Sequence, residues 1–93
     1  MDKIGRIRNK VVHAFLNNEI SAAGCKIMFC LMFKLNKTDL DEFVLDIKIV
    51  EIRKMLNYSD SRLYSAFNQL EKLGFIARSK SHGDKRVNTF KLL

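Results

Sequence analysis

Ninety-three residues are enough for one hydrophobic core and too few for two. At 47% apolar residues the chain has the composition of a folded domain, and no apolar run approaches the roughly 18 residues of a membrane span. The opening MDKIGRIRNK lacks the apolar centre of a signal peptide, so a soluble, intracellular (cytoplasmic) protein without a membrane partner is expected.

The formal charge of +7 is unevenly placed. Residues 1–19 carry an excess of +2, residues 20–71 balance seven basic against seven acidic groups, and residues 72–93 set six basic groups against Asp84. A concentrated positive field attracts polyanions, because neutralising phosphates releases counterions. A solvated basic surface is the plainer reading of the same charges.

In chain order, Ile4, Ile7, Val11 and Phe15 recur at spacings of three and four and predict an amphipathic helix over 2–16, although VVHAFL could equally start as a strand. Residues 1–19 thus form an N-terminal helix or arm. Ser21 is a suitable N-cap, Ile20 before it could staple onto Cys25, and a helix runs from there to about Leu35. That helix is apolar on nearly every side. Met28, Leu31, Met32 and Leu35 form one stripe, Ile27, Phe29, Cys30 and Phe33 cover much of the rest, and only Lys26 and Lys34 are clearly polar. A helix apolar all round must be covered all round. Its second face is expected to pack on the leading helix, on a second copy of the chain in a homodimer, or on both.

Cys25 and Cys30, five residues apart on that helix, point about 140° apart and cannot bridge each other there. With His13 and His82 far off in sequence, buried free thiols are the better reading than a metal site. An intermolecular disulfide at a helical seam stays open.

NKTDLDE reads as a polar loop, Phe43 to Ile47 as a short β-prone run, and Lys48 to Leu56 as a helix with Ile49, Ile52, Met55 and Leu56 on its buried stripe. Asn57, Tyr58 and Ser59 make a tight connection into a second helix, capped by Ser59, with Asp60 in its first turn and Gly74 at its left-handed end. Leu63, Ala66, Phe67, Leu70 and Leu73 line its inner side. Ser61, Arg62, Ser65, Asn68, Gln69 and Lys72 fall on the others. Beyond Gly74, Phe75 to Lys80 and Arg86 to Leu92 predict two strands around SHGDK, where Gly83 can supply the positive φ of a tight turn.

Helix, short strand, helix, turn, helix and hairpin together resemble the winged helix-turn-helix superfamily over residues 20–93. ISAAGCKIMFCLMF resembles its first helix, IVEIRKMLNYSDSRLYSAFNQLEKLGFI its helix-turn-helix, and GDKRVNTFKLL the wing of MarR-type regulators. The resemblance implies an α+β, mostly helical fold: a three-helix core with a two- to three-stranded antiparallel sheet, plus the leading helix. It also implies a wing over about 78–88 with Arg86 in a minor groove and Asp84 bracing it. MarR-type chains continue past the wing into dimer-forming helices, and this sequence stops at Leu93, so a dimer is expected to be built differently. FVLDIKIVEIRKMLNYSDSRLYSAFNQLEKLGFI is also similar to winged-helix domains of phage and plasmid replication proteins, so a viral or plasmid source suits the chain as well.

A recognition helix over about 59–73 would read base edges in a major groove with Ser61, Arg62, Ser65, Asn68 and Gln69, Arg62 being suited to guanine and Asn68 or Gln69 to adenine. An exposed helix face that is merely polar is the alternative. Tyr64 either stacks on sugar or phosphate or closes the edge of the core. Ser59 caps the helix, and the same N-terminus can receive a phosphate. Lys80, Lys85 and Arg86 are the expected wing contacts. His82 reads as a solvated turn residue, and Arg6, Arg8 and Lys10 either extend the footprint or solvate the leading helix.

No nucleophile with a base, paired carboxylates in a cleft, GxxxxGK[ST] or GxGxxG is present, so a non-enzyme without cofactor or small-molecule ligand is expected. The resulting expectation is a double-stranded DNA-binding transcriptional regulator. A replication or origin-binding component, and a protein-interaction module whose wing meets an acidic partner, are the alternatives.

Overall fold

The computed structural model describes residues 3–35, 43–80 and 87–93, with the side chain of Lys80 excepted. The NKTDLDE loop and the SHGDK turn lie outside the described residues. The elements follow the order α1 (Lys3–Leu16), α2 (Ala22–Leu35), β1 (Val44–Lys48), α3 (Ile49–Leu56), α4 (Asp60–Lys72), β2 (Ile76–Lys80) and β3 (Val87–Leu92).

α2 is the hub because its sequence allows nothing else. Ile27, Met28, Leu31 and Leu35 are completely buried, and α1, α3, α4 and β1 all pack against the helix. α1 brings Ile7, Val11 and Ala14 to one side of it, which settles its leading segment as a helix over its described length. α4 brings Leu63, Phe67 and Leu70. Burying each such aliphatic or aromatic side chain contributes about 1.5–3 kcal/mol, so this cluster dominates the stability of the fold. Phe29 and Phe33 stay 39% and 52% exposed on the part of α2 that its neighbours leave uncovered.

The sheet is antiparallel in the order β1-β3-β2. Leu45 lies opposite Phe90 and Ile76 opposite Leu92, and these four residues are all buried. The opposite face of the β1–β3 pair is tied by the Thr89 hydroxyl, which donates to Asp46 Oδ1 at 2.5 Å between directly paired residues.

Helix ends fix how the elements meet. The Ser21 hydroxyl accepts from Gly24 N at 3.1 Å and the Ser59 hydroxyl from Arg62 N at 3.2 Å, so each serine caps the third residue of its helix. α4 closes in a Schellman turn. Phe75 N donates to Leu70 O, Gly74 N donates to Glu71 O, and Gly74 takes φ +82. α1 stops in the same manner, with Asn18 at φ 61, and α3 stops on left-handed Asn57.

Three side chains expected on apolar stripes are exposed, the first being Phe15 at 40%, whose place against α2 is taken by Ala14. Leu73 is 47% exposed because α4 ends at Lys72 and the Schellman turn puts Phe75, rather than Leu73, into the core. Met55 is 48% exposed because α3 is short and only Ile52 reaches full burial, although Cys30 Sγ lies 3.5 Å from the Met55 sulfur.

Candidate nucleic-acid interface

α3 and α4 are joined by Asn57, Tyr58 and Ser59. Asn57 adopts a left-handed conformation, which turns the chain within one residue, and Ser59 then starts α4 in extended backbone with its hydroxyl as the cap. Arg53 Nη1 meets Asp60 Oδ1 at 2.7 Å across the turn. Both groups are well exposed, so the pair orients the helices more than it stabilises them.

With Leu63, Ala66, Phe67 and Leu70 turned into the core, α4 presents Ser61, Arg62, Ser65 and Asn68 to solvent. Ser59, Ser61, Arg62 and Ser65 also line a cleft of about 490 Å³ shared with Ser21 at the start of α2. Such a surface offers hydroxyls, an amide and a guanidinium, the groups that hydrogen-bond base edges and phosphate oxygens.

Gln69 differs from its neighbours. It is half-buried, and its Oε1 accepts a hydrogen bond from Ser21 N at 3.1 Å, tying α4 to the first turn of α2. A bidentate contact to adenine needs both ends of the amide, so Gln69 would have to give up that tie while Asn68 would not.

Tyr64 closes the edge of the core. Its ring packs edge-on against Phe67, with centroids 5.7 Å apart, yet the residue remains 40% exposed beside the hairpin.

Arg78 on β2 is not singled out by sequence reasoning, and with the Phe67–Phe90 ring contact it joins α4 to the hairpin. Its Cζ lies 5.1 Å from the Phe67 ring centroid and 5.2 Å from that of Tyr64, and its Nε is 3.0 Å from Glu71 Oε1. The short distance makes an ion pair, but the N–H is not aimed at the oxygen. Among the described residues neither Glu71 Oε1 nor the buried Arg78 Nη1 has a hydrogen-bond partner. The guanidinium is thus held by ring faces and charge. Strand alternation was the available signal: Ile76 points inward, so Arg78 two residues on must do the same.

Tyr64, Arg78, Ser79 and Asn88 line a recess of about 190 Å³ where α4 meets the turn-side half of the β2–β3 pair. Lys80 closes β2 in register with Asn88. Lys85 and Arg86, with Asp84, lie outside the described residues. Tyr64 and Arg78 thus set the hairpin against α4.

Tyr58, also not singled out, gathers cations. Arg62 Cζ is 4.2 Å and Lys26 Nζ 5.9 Å from its ring centroid. On α1, Lys3 lies over Phe43 and Lys10 over Phe75, away from this surface.

Cys25 and Cys30 are free thiols, and burial pushes both up from their ordinary value, with Lys34 partly opposing this at Cys30. Among the described residues no three His, Cys, Asp or Glu side chains are grouped as a metal would need, and no helix is long and apolar enough to cross a membrane.

A family model described as a winged helix DNA-binding domain matches residues 27–92, from within α2 to the end of β3. No characterised protein and no solved structure gives a significant match.

Proposed function

The chain belongs to the winged helix DNA-binding domain family, and from that premise we propose that it is a sequence-specific double-stranded DNA-binding protein, a small transcriptional regulator without enzymatic activity. The observation that carries this reading is the contact of Arg78 on β2 with Tyr64 on α4, which sets the hairpin against the helix whose exposed side carries Ser61, Arg62, Ser65 and Asn68.

In this reading α4 enters a major groove. Arg62, Ser61, Ser65 and Asn68 meet base edges, and the capped N-terminus at Ser59 meets a phosphate. Lys80, Lys85 and Arg86 on the wing meet the flanking backbone or minor groove. The protein acts as a homodimer, an assignment supported by the apolar side chains of Phe29 and Phe33 left exposed on α2.

Selection of bound fragments from a genome, followed by footprinting, tests the whole reading. It expects duplex sites with two half-sites about 10 base pairs apart or a multiple of that. Sites at replication origins instead of promoters would move the protein to the origin-binding alternative, and failure to enrich any duplex would remove the DNA-reading role. On the selected site, Arg62→Ala is predicted to lose about 1–3 kcal/mol with little change on random DNA. Lys80→Ala and Arg86→Ala are each predicted to reduce the salt slope of binding by about one unit.

A further inference from the structure

We propose that Tyr58 is a positioning residue that sets the aim of Arg62, and so determines specificity without itself reading a base. The inference rests on the reading that α4 lies in a major groove.

Arg62 is the third residue of α4, and helical side chains lean toward the N-terminus, over the preceding turn. There its guanidinium meets the Tyr58 ring at 4.2 Å from the centroid, well inside the range in which a cation is drawn to an aromatic face. Its backbone is fixed at the same point, because Arg62 N donates to the Ser59 hydroxyl. Main chain and side-chain head are thus held by adjacent residues of one turn.

An arginine attracted to a ring spends none of its N–H groups on an acceptor, so its donor fork stays free for the two acceptors of guanine. The nearest carboxylate in sequence, Asp60, does not compete for it, since Arg53 holds that group at 2.7 Å. Lys26 Nζ approaches the same ring from α2. Two cations around one ring repel each other, and an electronegative groove relieves that repulsion. The arrangement therefore suits a polyanion carrying a guanine edge rather than a neutral partner.

Tyr58 is half-buried against the core, so truncation to alanine would confound aim with folding. Tyr58→Leu keeps an apolar side chain and removes the ring; Tyr58→Phe keeps the ring and removes the hydroxyl. The experiment measures affinity of the full chain for its selected duplex and for a random duplex, with Arg62→Ala and the Tyr58→Leu/Arg62→Ala double variant alongside.

Tyr58→Leu is expected to lower the ratio of the two affinities about three- to tenfold, Tyr58→Phe to restore it, and Tyr58→Leu to add nothing once Arg62 is gone. Equal weakening on both duplexes, or a Tyr58 effect that persists without Arg62, would overturn the proposal. In the DNA-free protein the Arg62 side-chain protons are expected to be displaced upfield by the ring current and to return in Tyr58→Leu. Unshifted protons would sink the positioning role while leaving DNA binding intact, whereas a wild-type protein that prefers no duplex would overturn both.

Discussion

Arg78 is held on β2 by charge from Glu71 and by the faces of Tyr64 and Phe67, and it carries a buried N–H without a partner among the described residues. An unpaired buried donor costs about 1–3 kcal/mol, so packing of the aliphatic stem and the rings must offset that loss. Arg78→Ala is accordingly predicted to destabilise the fold by about 1–3 kcal/mol, measured as a lower urea midpoint. Glu71→Gln should cost less, since the ring contacts remain and the pair is only partly buried. The thiols give a prediction of opposite character. Burial raises both above their ordinary 9.0, so the unfolded chain loses these protons first as pH rises. Stability from this source is therefore full below about pH 9 and declines as pH climbs toward the folded-state values. Urea midpoints between about pH 8 and 10.5 should fall less steeply for Cys30→Ala, each protein being referred to its own neutral value. The core at this scale was legible in the sequence, because Leu63, Phe67 and Leu70 recur at helical spacing. Arg78 and Tyr58 were not singled out, because their importance lies in ring contacts: Arg78's with residues distant in the chain, and Tyr58's both with Arg62 four residues on and with Lys26 on another helix.

Helix boundaries decide the angle at which α4 meets its neighbours, and they are set by few residues. Two glycines separate the possible causes. Gly24 lies in α2 with ordinary backbone, and a Cβ there would meet Gln69 Oε1 and Leu70 Cδ2 at 3.5 Å, a normal contact distance. Gly24→Ala should therefore stabilise the protein by about 0.5–1 kcal/mol, through helix propensity and a less flexible unfolded chain. Gly74 stands at φ +82 with open space around it. Gly74→Ala should destabilise by about 1 kcal/mol from backbone strain alone. Thermal unfolding of the two variants should move in opposite directions, and a common direction would mean that the Schellman geometry does not govern the end of α4. The N-caps at Ser21 and Ser59 and the stop at Gly74 could be read from residue type, since a hydroxyl before an apolar period and a glycine after it have few other uses. The stop at Asn18 could not, because asparagine takes the left-handed conformation only where the surroundings favour it. Leu73 was placed inward for a related reason: periodicity continues on paper past the residue where the chain turns.

For the molecule as a whole, α2 had too much apolar surface for one neighbour, and the structure surrounds it with α1, α3, α4 and β1 while leaving Phe29 and Phe33 partly exposed. The order of elements followed from sequence pattern, because each segment's period, cap and turn residues agreed with one another, and the winged-helix architecture came from the family resemblance that this order carries. The pairing of β1 with β3 did not, since a five-residue strand of mixed burial carries no local mark of its distant partner. The basic excess in residues 72–93 gains meaning from that architecture, which sets β2 and β3 beside α4. The account stands or falls on whether these two surfaces engage one duplex together. Amide chemical shifts followed while duplex DNA is added would report this directly. The account predicts that Ser61, Arg62, Ser65 and Asn68 on α4 and the strand residues around Arg78 and Asn88 move together with one affinity that weakens steeply with salt. Shifts confined to α1 and the outer side of α2, with α4 and the hairpin unmoved, would contradict it.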